Sequence, residues 1–130
     1  MAGGPVSDLA GMLAGMAPVL DARGWAFVLV DGAAPGDAFA LIREDEGTTA
    51  IVPQDSGDFA RITLTVHSAL DGVGLTAAVA TALAARGIAC NVVAGFHHDH
   101  LFVPRERAEE AVRALAALSK GAAAGEGPSA

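Results

Sequence analysis

RITLTVHSALDGVGLTAAVATALAARGIACNVVAGFHHDHLFVP, residues 61–104, carries the order of elements on which the fold turns. It begins with strict alternation. Ile62, Leu64 and Val66 share one face, while Arg61, Thr63, Thr65 and His67 share the other. Period-two alternation is the pattern of a strand with one face against a covering layer. The loop that follows contains Gly72 and Gly74, and then Leu75, Val79 and Leu83 recur four apart with Ala78 and Ala82 beside them. That spacing predicts a helix, and Gly87 is placed to stop it. Residues 88–96 read as a second strand, residues 97–99 as a turn, and residues 100–104 as the returning strand.

Working outward toward the C-terminus, Pro104 introduces a last helix with Ala108, Val112, Leu115 and Leu118 on its apolar face. Glu109 and Arg113 stand at the favourable i, i+4 spacing on it. Residues 119–130 are rich in Gly, Ala and Ser and read as a disordered tail. The order strand, helix, strand, strand, helix is that of a βαββαβ unit without its last strand. The N-terminal half has strands to spare and is expected to supply pairing at that edge.

In that half, Ser7 or Asp8 is placed to cap a first helix, with Leu9, Met12, Leu13 and Met16 as its apolar stripe and Pro18 as its stop. Residues 25–31, WAFVLVD, form a continuous apolar run between Gly24 and Gly32, expected as a strand buried on both faces. Residues 38–45 and 48–53 read as two further strands, with Glu46-Gly47 as a tight hairpin turn. Residues 54–58 are a short polar linker. The expected division is therefore 1–58 as an N-terminal unit, 59–118 as the second unit, and the tail.

Composition narrows the function. The chain has 130 residues and a formal net charge of −7, with only 8 Lys and Arg. These cations are scattered, so the clustered positive charge that a phosphate backbone or an anionic membrane surface requires is missing. The first residues lack the basic region and apolar run of a signal peptide, and no apolar stretch approaches membrane-spanning length. The expected location is the cytoplasm. A single cysteine, Cys90, excludes an internal disulfide and reads as a small core residue.

Residues 67–104 resemble an ACT domain, closest to the small bacterial proteins of the ACT/CASTOR-like group. These carry this segment after a degenerate ACT-like N-terminal unit. The resemblance rests on Asp71, Gly74 and Leu75, which match the acidic, glycine and helix-opening positions of the loop after the first strand. Val73 departs from the Pro common before that glycine. The resemblance implies an α+β, ferredoxin-like fold, with an antiparallel sheet carrying helices on one face. It also implies regulatory binding of a small molecule, commonly an amino acid, and a homodimer.

The ligand site that follows from the resemblance is His67, Ser68, Asp71, Gly72, Val73, Gly74, Leu75, Asn91 and Val92. Glycine lets backbone approach a ligand closely, and a helix N-terminus suits a carboxylate. Asp71 offers an acceptor for an ammonium group, but also a helix cap. Gly72 and Gly74 equally satisfy turn geometry, His67 a solvated strand end, and Asn91 a strand-edge backbone group.

His97, His98, Asp99 and His100 are the densest group of potential metal ligands. Strand alternation puts His98 and His100 on one face and turns His97 and Asp99 away, which leaves no defined third ligand. His67 falls at the same sheet edge. A polar turn with solvated imidazoles is the simpler reading, and no metal or cofactor is expected. No nucleophile, phosphate-loop, dinucleotide or HExxH motif is present. The reading is therefore a regulatory binding protein rather than an enzyme, with a non-liganded dimerisation or protein-interaction module as the alternative and metal binding through His97–His100 ranked behind it.

Overall fold

The computed structural model of the chain describes residues 8–66, 70 and 72–123. Its elements, in order, are α1 (Leu9–Ala14), β1 (Pro18–Val30), β2 (Ala40–Glu44), β3 (Gly47–Pro53), β4 (Phe59–Leu64), α2 (Leu75–Ala84), β5 (Asn91–Ala94), β6 (Asp99–Pro104) and α3 (Ala108–Ala123). A 3-10 turn, Arg105–Arg107, leads from β6 into α3. The six strands form one sheet in the order β2-β3-β1-β4-β6-β5. Every pairing in it is antiparallel.

β4, α2, β5, β6 and α3 are the predicted unit, and its open edge beside β4 is filled as expected. β1 enters there, with Pro18 opposite Leu64 and Asp21 opposite Arg61. After Asp21 the register shifts, and residues 25–30 continue along β3. One strand therefore belongs to both halves. The shift sits at Gly24, where the chains cross too closely for a side chain. A Cβ on Gly24 would run into the Gln54 carbonyl oxygen, and one on Gly57 into the backbone of Trp25. The Gly24 carbonyl accepts from Gln54 N–H at 2.8 Å, and Arg105 donates to the Asp55 carbonyl at 2.7 Å.

The three helices cover one face. Met12, Leu13 and Met16 meet Ile62 and Leu64 of β4, Leu75, Val79 and Leu83 of α2, and Leu101 and Val103 of β6 in the main core. Burying each large side chain contributes about 1.5–3 kcal/mol. Residues that the sequence offers as a cap and a stop bound the two short helices. The Asp8 carboxylate accepts from Gly11 N–H at 2.8 Å and caps α1. At the end of α2, Ile88 N–H donates to the Leu83 carbonyl and Gly87 N–H to that of Ala84, with Gly87 at φ +68°. This pair of bonds is a Schellman stop, with Ile88 packed into the same core as Leu83.

The face opposite the helices carries a second cluster, built on Trp25, Ile51 and Phe102 with Phe39, Phe59 and Val93 packed against it. The Arg61 guanidinium stacks 4.6 Å from the Trp25 ring and 4.7 Å from the Phe39 ring, and its outer nitrogen lies 3.4 Å from Asp21. Trp25 Nε1 and Arg61 Nε are buried nitrogens without a hydrogen-bond partner. Attraction to the ring faces offsets part of that cost for the cation. His100 completes this face, with Nδ1 at 2.9 Å from the Thr63 hydroxyl and its ring against Phe39. Burial, with Arg61 and His98 nearby, pushes its pKa below the ordinary 6.5.

Several expectations are corrected. Residues 25–31 are not buried on both faces: Leu29 is 76% exposed and Phe27 37%, because no helix lies over that side of β1. The hairpin register pairs Glu44 with Gly47, so the turn residues are Asp45 and Glu46, one position earlier than Glu46-Gly47. α1 ends at Ala14, and Pro18 instead starts β1. Residues 119–123 are not tail: α3 continues to Ala123, and the Ser119 hydroxyl donates to the Ala14 carbonyl at 3.1 Å. The ion pair at the start of α3 joins Arg107 to Glu110 at 2.9 Å. Cys90 is half-buried beside the core just before β5, and burial pushes its thiol up to about 11.

Two expectations for stability follow from this packing. Gly24→Ala and Gly57→Ala should each lower unfolding free energy in urea titrations by about 1–3 kcal/mol. Gly36→Ala, which meets no atom within 4 Å, should stay within about 0.5 kcal/mol of the parent. The lowered His100 pKa means the folded state binds fewer protons than the unfolded chain. Its contribution is complete above the unfolded value of 6.5 and is lost as pH falls through the folded value. Unfolding titrations at several pH values should show His100→Gln with a flatter loss of stability below that point than the parent.

Candidate functional site

The first strand of the second unit and its β5–β6 hairpin end at the same edge of the sheet. Leu64 lies opposite Asp99, and Asp99 opposite Ala94. Thr65 is held there by its hydroxyl, which donates to the Ala17 carbonyl at 2.8 Å, and by its N–H to Met16. The start of α2 lies beside this edge.

A crevice of about 80 Å³ opens between them, lined by Met12, Gly72, Leu75, Thr76, Ala94 and Asp99, with Leu70 at its side. Leu75 and Thr76 are the first residues of α2. The N-cap position is Gly74, at φ +102°, and no side chain among the described residues caps the helix. The first-turn N–H groups beside the crevice are therefore without a side-chain acceptor among the described residues. Asp99 stands on the helix-facing side of β6, and burial raises its carboxyl pKa while His98 opposes that shift.

Gly72 and Leu75 line the crevice, and Val73 stands beside them, 81% exposed. Gly74 instead borders a larger groove of about 410 Å³ between α1, α2 and the end of α3. Its walls are aliphatic, from Leu9, Ala78, Ala82 and Leu118, with Thr81 as a hydroxyl. That groove has no charged group to orient a ligand, so the smaller crevice is the better candidate. His67, Ser68 and Asp71 lie outside the described residues.

Asn91 and Val92 are not brought to the crevice within one chain. Asn91 pairs with Phe102 and so projects from the face away from the helices, near the far end of β5. Val92 points to the helix side but packs into the core. The histidines also part company. His98 Nδ1 lies 3.4 Å from the Val66 carbonyl, whereas His100 turns to Thr63 on the opposite face. Among the described residues, no three His, Cys, Asp or Glu side chains come together as a metal set.

Met12 and Asp99 were missing from the sequence reading of the site. Met12 reads as core from its helical stripe, and nothing local betrays its second role. Asp99 did carry a signal. It is in phase with Leu101 and Val103, so period-two alternation alone puts a carboxylate on the core side of β6.

Comparison with known proteins agrees with this architecture. Two ACT-domain family models match the chain, one over residues 5–69 and one over residues 60–117. The matches overlap on β4. No curated protein matches. Among solved structures, a Vibrio cholerae protein of unknown function is 42% identical, with a TM-score of 0.70 over 82% of this chain and 92% of that one. A protein from Agrobacterium tumefaciens shares 24% identity, with a TM-score of 0.58 over 75% of this chain and 82% of that one. The ligand-free regulatory subunit of aspartate kinase from Thermus thermophilus shares the fold, with a TM-score of 0.59, 15% identity and coverage of 77% and 94%. ACT domains are commonly regulatory modules that bind small molecules, and they often dimerise. With its ferredoxin-like sheet, its helices on one face and its two family matches, the chain belongs to the ACT-domain family.

Proposed function

We propose that the chain is a regulatory sensor that binds a small molecule, an amino acid, in the crevice beside Gly72 and Asp99. The observation that carries this reading is the crevice itself. It combines a helix N-terminus that no described side chain caps, close backbone at Gly72 and a half-buried carboxylate within one small volume. Those are the groups an amino acid needs at its two charged ends. Asp71, in the same loop, is a second candidate acceptor.

The unit at work is a homodimer. Leu70, Val73 and Phe96 stand 67%, 81% and 73% exposed at the end of the sheet where the crevice opens. Large apolar side chains gathered at one end favour contact with another surface. The same apolar rim favours the alternative, a dimerisation module that takes no ligand. In this proposal residues 1–58 and 59–118 are two ACT-like units sharing β1. No helix is long and apolar enough among the described residues to cross a membrane, and the site of action proposed is the cytoplasm.

A thermal-shift screen against the common amino acids, run beside analytical ultracentrifugation, separates these readings. The sensor reading expects at least one amino acid to raise the melting temperature of a dimer. A stable dimer that no amino acid stabilises would favour the interaction module.

A further inference from the structure

The crevice has one titratable side chain among its described lining residues, Asp99. Its position follows from register: it pairs with Leu64, and Ile62 and Leu64 face the helix layer. The carboxylate therefore lies on the helix side of the sheet, at the rim of an apolar core. Its neighbours there are Met12, Leu75 and Ala94, which offer it no side-chain donor, and Thr76, whose hydroxyl makes no hydrogen bond to it. No salt bridge joins it to a cation of the described chain. His98 lies close enough to oppose the upward shift of its pKa, yet its Nδ1 faces the Val66 carbonyl.

A half-buried carboxylate without a bonded cation is costly in a folded chain. It is also the group that an ammonium ion satisfies best, through a short charge-assisted hydrogen bond. The volume limits what can carry that ammonium. About 80 Å³ equals two to three waters, at about 30 Å³ each. Met12 and Leu75 are buried core residues, so the walls do not yield easily.

We infer that Asp99 is the ammonium acceptor of this crevice, and that the ligand class is a primary amine no larger than an α-amino acid with a short side chain. The inference rests on the sensor reading above and narrows it. Asp99 selects for the amine, while Met12 and Leu75 select against bulk. Glycine, alanine and serine fit, and leucine, phenylalanine and arginine do not.

The test is a thermal-shift titration of the full chain with glycine, alanine, serine, leucine and arginine, and with acetate and propionate as partners lacking the amine. The parent should respond to at least one of the three small amino acids and to neither carboxylic acid. Asp99→Asn and Asp99→Ser should keep the circular-dichroism spectrum and raise the half-saturating concentration at least tenfold. An undiminished response in both variants would overturn the role of Asp99 and leave the sensor reading standing. So would an equal response of the parent to propionate and alanine. A response confined to leucine or arginine would overturn the size limit. No response of the parent to any amino acid would remove the sensor reading, and the inference with it.

Discussion

β1 pairing with β4 is the constraint on which the rest depends. A βαββα unit that stops after its second helix leaves the edge of its first strand open, and an open edge is a row of unpaired backbone groups. Here Pro18 to Asp21 close that edge along β4. The same strand then shifts register and runs on with β3. The two halves of the chain therefore cannot be separated without reopening the sheet. The crossing works because Gly24 and Gly57 carry no side chain where Gln54 and Trp25 press against them.

That pairing also builds the crevice. With β1 docked, the Thr65 side chain and N–H tie the end of β4 to Met16 and Ala17. The tether holds α1 over α2, so Met12 becomes a wall beside Gly72 and Asp99. A site whose loop resembles that of other ACT domains thus takes one wall from the N-terminal half. The sheet's other face has a different character. Arg61 lies between Trp25 and Phe39, and His100 sits beside them. The histidine run is split between the two faces, so its density in the sequence does not become a metal centre among the described residues.

Local pattern was enough for most of the fold. Alternation at Ile62, Leu64 and Val66 gave β4, and Leu75, Val79 and Leu83 gave α2, since each period has a single backbone solution. Gly87 gave the stop of α2, because a left-handed residue is needed there. The missing strand was visible as a count of elements, and the spare strands as its remedy. Exposure of Phe27 and Leu29 was not visible. A continuous apolar run reads as doubly buried, and only the placement of the helices tells which face is covered.

For the site, sequence pointed to the loop and to Gly72 and Leu75 through family likeness and the needs of a helix start. Phase with Leu101 and Val103 already put Asp99 on the core side. What required the folded chain was proximity. Met12 and Asp99 are far apart along the chain and meet through α1 packing, while Asn91 lies near in sequence and projects from the other face. Periodicity encodes the face a residue occupies, because that is a local property of the backbone. Which faces meet depends on strand register and helix docking, and those are settled by contacts distant in the chain.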